Sequence, residues 1–165
     1  EVNPSGKFPV SVAACSAQLP VAYNHRITGR KGEYSDRGSS PQFEFGYGLS
    51  YTEFVYSNLS VPPQIAGKEA GGAMAVCVDV CNAGEYDGKE SVLVFASASR
   101  GETVPRVKRL VGFKKVFLRK GEKKTVEITL GAEAFSAAGV NGKIKVIPGT
   151  YTICVGELAG QIVVS

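Results

Sequence analysis

Through the last two-thirds of the chain, apolar and polar residues alternate with a period of two, the spacing that turns one side of an extended strand to a core and the other to water. Between Met74 and Cys81, Val76, Val78 and Val80 fall on one face while Cys77, Asp79 and Cys81 fall on the other. Between Lys123 and Leu130, Val126, Ile128 and Leu130 alternate with Thr125, Glu127 and Thr129, which gives that strand one wet face. Ser91 to Ser99 is almost continuously apolar and predicts a strand covered on both faces. Further strands are expected from Ser50 to Leu59, from Arg106 to Leu118 with a bend at Gly112, from Lys143 to Val155 with a break at Pro148-Gly149, and from Gln161 to Ser165. Pro62-Pro63 ends the first of them, because proline cannot donate to a ladder. Asn82-Ala83-Gly84 and Asp87-Gly88 supply turn chemistry, and Arg119-Lys120-Gly121-Glu122 reads as a hairpin turn.

Seven antiparallel strands without a convincing helix predict an all-β fold of the immunoglobulin-like or fibronectin type III-like sandwich kind. Residues 1–47 differ: they are rich in Gly, Pro, Ser and isolated charges, with one short extended run from Lys7 to Ala14, and read as an irregular N-terminal arm. The start has no Met and no charged-then-apolar leader, so it reads as a processed, cloned or proteolytic end. With 165 residues, 44% of them hydrophobic and 21% charged, the chain can bury a core of its own. No apolar run approaches the roughly 20 residues that a membrane helix needs. A net charge of +4 is too mild to call for nucleic acid. The four cysteines form no Cys-x-x-Cys pair and there is one histidine, so neither a metal site nor a cofactor is expected. Cys77 and Cys81 lie roughly 13 Å apart along a strand and cannot bridge each other. Cys154 is expected on the wet side of its strand as a free thiol.

Catalytic chemistry is hard to assemble from these residues. Glu33 with Asp36, and Glu85 with Asp87, are close in sequence but sit among turn residues, where nothing raises one pKa above the other. His25 is the one residue through which a Ser-His-Asp arrangement would have to run, and no Gly-x-Ser-x-Gly elbow accompanies it. Nine Lys or Arg stand against one Glu between Arg106 and Lys124, which reads either as a solvated face or as a stripe for acidic glycans. Phe113 and Phe117 in that stretch are expected in the core rather than on a sugar-stacking platform. Asn58-Leu59-Ser60 is a glycosylation sequon, which makes Asn58 a candidate acceptor.

Five ordered motifs carry a resemblance. Asn3-Pro4-Ser5-Gly6-Lys7-Phe8-Pro9-Val10, Tyr23-Asn24-His25 with Thr28-Gly29-Arg30, Phe45-Gly46-Tyr47-Gly48-Leu49-Ser50-Tyr51-Thr52, Lys108 to Val116, and Pro148-Gly149-Thr150-Tyr151-Thr152 resemble the C-terminal region of glycoside hydrolase family 3. The resemblance implies three parts: residues 1–12 as the closing strand of an α/β sandwich domain absent here, 13–47 as a connecting arm, and 48–165 as a fibronectin type III-like β-sandwich. It implies no catalytic residue in this chain, because the family's Asp nucleophile and Glu acid/base lie on two other domains. The parent would be a retaining, exo-acting β-glucosidase or β-xylosidase, secreted or periplasmic, and this chain a non-catalytic support for its catalytic domains. Tyr23, Asn24, His25, Arg30, Asp36 and Arg37 are then the candidates for domain docking or the substrate cleft. The arm is also a candidate for self-association. The alternative is a stand-alone carbohydrate-binding, partner-binding or adhesion module.

Overall fold

The computed structural model describes residues 2–26, 40–65, 73–99, 106–139 and 141–165. Their strands are β1 (Phe54–Ser60), β2 (Gln64–Ile65), β3 (Ala73–Asn82), β4 (Gly88–Ala98), β5 (Arg109–Leu118), β6 (Lys123–Gly131), β7 (Ser136–Ala138), β8 (Ile144–Val146), β9 (Gly149–Val155) and β10 (Leu158–Val164). A three-stranded sheet in the order β1-β3-β6 faces a five-stranded sheet in the order β2-β10-β9-β4-β5, and β7-β8 form a small ribbon of their own. This is the expected sandwich.

The alternations read from the sequence set the pairing. β3 runs antiparallel to β6 from Ala73 opposite Gly131 to Cys81 opposite Lys123, so that Val78 meets Val126 on the core side and Asp79 meets Thr125 outside. Val76, Val78 and Val80 are buried against Val92, Val94, Ile153 and Ile162 of the other sheet. Cys77 and Cys81 stay half-buried on the outer face, and all four cysteines are free thiols. At the far end, Phe135 packs edge-on to Tyr151 at 4.9 Å between ring centroids. The Tyr151 hydroxyl donates to the Ile147 carbonyl at 2.7 Å, and the Arg109 guanidinium donates to the carbonyls of Ser136 and Ala134. These bonds tie the loop that carries Phe135 to both neighbouring elements.

Four expectations change. The strands number ten rather than seven among the described residues, because β2 and the β7-β8 ribbon are too short to show a period. They are not all antiparallel: β2 runs parallel to β10, with Gln64 opposite Val163. Residues 119–122 make a tight turn but not a hairpin, since β5 pairs with β4 and β6 with β3. The turn closes on itself, Glu122 N donating to the Arg119 carbonyl at 2.9 Å, and it is also bonded to β3, Asn82 N donating to the Glu122 carbonyl and Gly121 N to that of Asn82. Finally, Phe113 and Phe117 are not in the core; they are 70% and 45% exposed. A bulge opposite Val94 and Phe95 sets the phase of β5, so Gly112, Val116 and Leu118 face inward and the two rings face out. The bend at Gly112 follows from contact: a Cβ there would lie 2.7 Å from Leu130 Cδ2 and 2.9 Å from Ile128 Cγ2.

Boundaries shift for local reasons. β1 starts at Phe54 rather than Ser50, because the Tyr51 N–H is taken by the Asn3 side chain. β10 starts at Leu158 rather than Gln161, since Gly156 in the left-handed region (φ 58°) makes a two-residue turn from β9 and pairs Leu158 with Val155.

On the outer face of the three-stranded sheet, the Asp79 carboxylate accepts hydrogen bonds from Thr125 Oγ1 (2.6 Å), Asn58 Nδ2 (2.9 Å) and Lys123 Nζ (2.9 Å). These donors hold its pKa far below the ordinary 3.8. Asn58 stands at the irregular register between Ser57 and Ser60, with φ at 53°, a conformation that asparagine tolerates. Because the folded pKa is depressed, the Asp79 contribution to stability is complete above the unfolded value and fades as pH falls from about 4 toward the folded value. Thermal melts of wild type and Asp79→Asn should therefore differ at neutral pH and converge as pH drops below about 4. Parallel curves across that range would show that Asp79 plays no such part.

Candidate functional site

The described part of the arm lies on the five-stranded sheet. Phe45 meets Phe95 of β4 edge-on at 6.1 Å, and Tyr23 stacks on the other side of Phe45 at 4.0 Å with the planes 18° apart. Lys108 reaches Glu44 at 2.6 Å while its ammonium stands 5.4 Å from the centre of the Phe95 ring. The Asn24 carbonyl accepts from Arg106 Nη1 at 2.7 Å, and the His25 carbonyl from Val107 N at 2.9 Å. His25 Nδ1 turns back to the Ala22 carbonyl at 3.0 Å. Tyr23, Asn24 and His25 are thus brought together beside residues 106–108 of the same chain. Arg30, Asp36 and Arg37 lie outside the described residues, as does Glu33.

The excursion has a closed base. Val12 bridges Phe43, Phe8 N donates to the Tyr47 carbonyl and Gly46 N to that of Phe8, so residues 8–12 run beside 43–47. Phe8, Phe43 and Tyr47 form an aromatic cluster on this stem, with centroids 4.8 to 6.1 Å apart. The second face of β4, expected to be covered, is covered in part: Phe45 meets Phe95, Gly46 lies against Leu93, Ser91 Oγ donates to the Ser5 carbonyl, and Ser91, Leu93, Phe95 and Ser97 are half-buried.

The basic stretch between Arg106 and Lys124 is engaged in holding neighbouring elements. Besides the arm contacts of Arg106 and Lys108, Lys115 donates to Ser5 Oγ (3.1 Å), Lys123 pairs with Asp79, and Lys124 with Glu122 (3.0 Å). Lys114 and Lys124 cap the carbonyls of Glu127 and Phe117 on the sheet edges. Glu85 pairs with Lys120, and Asp87 accepts from the Lys120 N–H at 2.8 Å, so these two carboxylates fasten the 119–122 turn.

Among the described residues the buried carboxylate is elsewhere. Glu90 is 5% exposed and faces inward with Val92 and Val94; its Oε1 accepts from the Tyr56 hydroxyl at 2.8 Å and pairs with the Lys7 ammonium at 3.0 Å. Burial, reinforced by the neighbouring carboxylate, pushes the Tyr56 pKa well above the usual tyrosine range. A carboxylate with one ammonium and one phenol on a single oxygen is a structural anchor. The sequence did carry a signal for it: position 90 is in phase with the inward valines of β4.

A two-sheet sandwich with the described part of its arm lying on the five-stranded sheet defines a module of the fibronectin type III-like class. A family model for the fibronectin type III-like domain matches residues 90–159. The chain is 31% identical to the periplasmic β-glucosidase of Salmonella typhimurium over 98% of its length, and 37% identical to a β-xylosidase of Formosa agariphila over 94%. It spans 22% of the length of each. The crystal structure of a β-glucosidase from Listeria innocua in complex with gluconolactone superposes with a TM-score of 0.90 at 34% identity, covering 99% of this chain and 24% of that one. The chain belongs with this family: it corresponds to the fibronectin type III-like, C-terminal portion of these relatives, which are glycoside hydrolases of family 3.

Proposed function

We propose that this chain is the non-catalytic C-terminal portion of a secreted or periplasmic family 3 β-glycosidase, and that it stabilises the catalytic domains of that enzyme. The observation that carries the reading is the agreement of almost the whole chain with a quarter of the Listeria innocua β-glucosidase. The periplasmic relative supports the address, and no helix among the described residues is long and apolar enough to cross a membrane. The parent acts as a retaining exo-β-glucosidase or β-xylosidase, with its nucleophile and its acid/base on the other domains. The exposed rings of Phe113 and Phe117 supply apolar area for a neighbouring domain to cover. Arg30, Asp36 and Arg37, with Tyr23, Asn24 and His25, belong to the arm that meets that neighbour or the substrate cleft, and the same arm is the route for self-association of an isolated chain. Asn58 is an acceptor for glycans where the host glycosylates.

The purified 165-residue chain is expected to release no aryl alcohol from aryl-glucosides or aryl-xylosides. Turnover that survives repurification and disappears on mutating a residue of this chain would overturn the assignment. The second reading, a stand-alone binding module, draws on the same two exposed rings. It predicts retention on insoluble β-glucan that is lost in the Phe113→Ala/Phe117→Ala variant, whereas the glycosidase reading predicts no retention.

A further inference from the structure

We propose that the β-sandwich carries a built binding site for an extended peptide, occupied in this chain by residues 3–8, and that this site holds its peptide without needing a covalent link to it. The recognition is side-chain specific at alternate positions. The Asn3 carboxamide oxygen accepts from Tyr51 N at 2.8 Å, and its amide donates to Ser50 Oγ at 2.9 Å. The Ser5 carbonyl accepts from Ser91 Oγ at 2.9 Å and the Ser5 hydroxyl from Lys115 Nζ at 3.1 Å, and the Lys7 ammonium enters the site of the buried Glu90 carboxylate at 3.0 Å. The ligand chemistry is therefore an extended Asn-x-Ser-x-Lys segment with a carboxylate-seeking cation at its end.

Two features distinguish a site from a piece of core. The hydrophobic core and the partly buried apolar residues packed against it contain nothing before Phe54, so no apolar side chain of the segment is needed to complete it. The walls are also shaped for the segment. A Cβ on Gly48 would stand 2.5 Å from the Gly6 carbonyl oxygen, and a Cβ on Gly88 would collide with Asn3 Nδ2. Both glycines leave room that the peptide fills. None of this depends on the activity of a larger protein.

The test uses the full chain with a site-specific protease sequence inserted after Gln18, beside the exposed Leu19. After cutting, the two pieces are expected to elute as one species under native conditions, and a labelled synthetic peptide of residues 2–14 should exchange into the site. Lys7→Met in the short piece and Gly48→Ala in the long one should each weaken the association at least about tenfold, the equivalent of about 1.4 kcal/mol. Pieces that separate at once, or variants that hold as tightly as wild type, would overturn the proposal. Circular dichroism of the uncut variants supplies the control: an uncut Lys7→Met chain without its sheet spectrum would show that the segment is core and not ligand, and would overturn it equally.

Discussion

Phe135→Ala is expected to destabilise the chain by about 3–5 kcal/mol in denaturant unfolding, near the upper end for a single truncation. Phe135 is 1% exposed and is the largest of the fully buried side chains. The loss has two sources: apolar area returned to water, and a cavity whose walls are held in place. Tyr151 cannot collapse into that space, since its hydroxyl is fixed to the Ile147 carbonyl, and Arg109 fixes the carbonyls on either side of Phe135. Phe135→Leu, which keeps most of the volume, should cost clearly less. Equal losses for the two substitutions would contradict a rigid cavity.

Lys7→Met is expected to cost about 3 kcal/mol, or about 10 °C in Tm, although it lies far outside the sandwich in sequence. Methionine leaves the Glu90 carboxylate buried with the Tyr56 hydroxyl alone, and an uncompensated buried charge is far more expensive than a neutral group of the same shape. The Lys7→Met/Glu90→Gln double variant should recover part of the loss, because it removes the orphaned charge. Melting curves of the two single variants and the double variant decide the matter: a double variant worse than Lys7→Met would mean that the pair is not coupled in this way.

Much of the sandwich was legible because β3 and β6 each keep one face apolar, and a period of two is a local property that needs no knowledge of the partner strand. Phe113 and Phe117 were misread for the complementary reason. Their even spacing shows that they share a face, but the bulge opposite Val94 and Phe95 decides which face it is, and a bulge depends on a non-local register. The 119–122 turn was similarly ambiguous: a tight turn is written in four residues, whereas the choice between pairing its two strands and sending them to opposite sheets is made by Asn82, some 40 positions earlier. The candidate residues 23–25 were found from motif resemblance, yet their contacts with Phe45 and residues 106–107 join segments that no periodicity connects. Glu90 is legible in the same local way, since it falls in phase with the inward valines of β4. An acid in phase with inward valines asks for a cation, and Lys7 stands 83 positions away.

The stem that joins residues 8–12 to 43–47 has a consequence for how this part of the chain can diversify. Its two legs are bonded to each other, and Phe45 packs on Phe95 of the sheet, so the span between them begins and ends at the same place whatever its length. Closing a flexible span costs free energy that grows only as the logarithm of length, about 0.6 kcal/mol for each doubling. Changes of length between residues 13 and 42 that leave the contacts of Tyr23, Asn24 and His25 with Phe45, Arg106 and Val107 in place therefore cost the sandwich little, and sequence can be exchanged there without refolding the module beneath it.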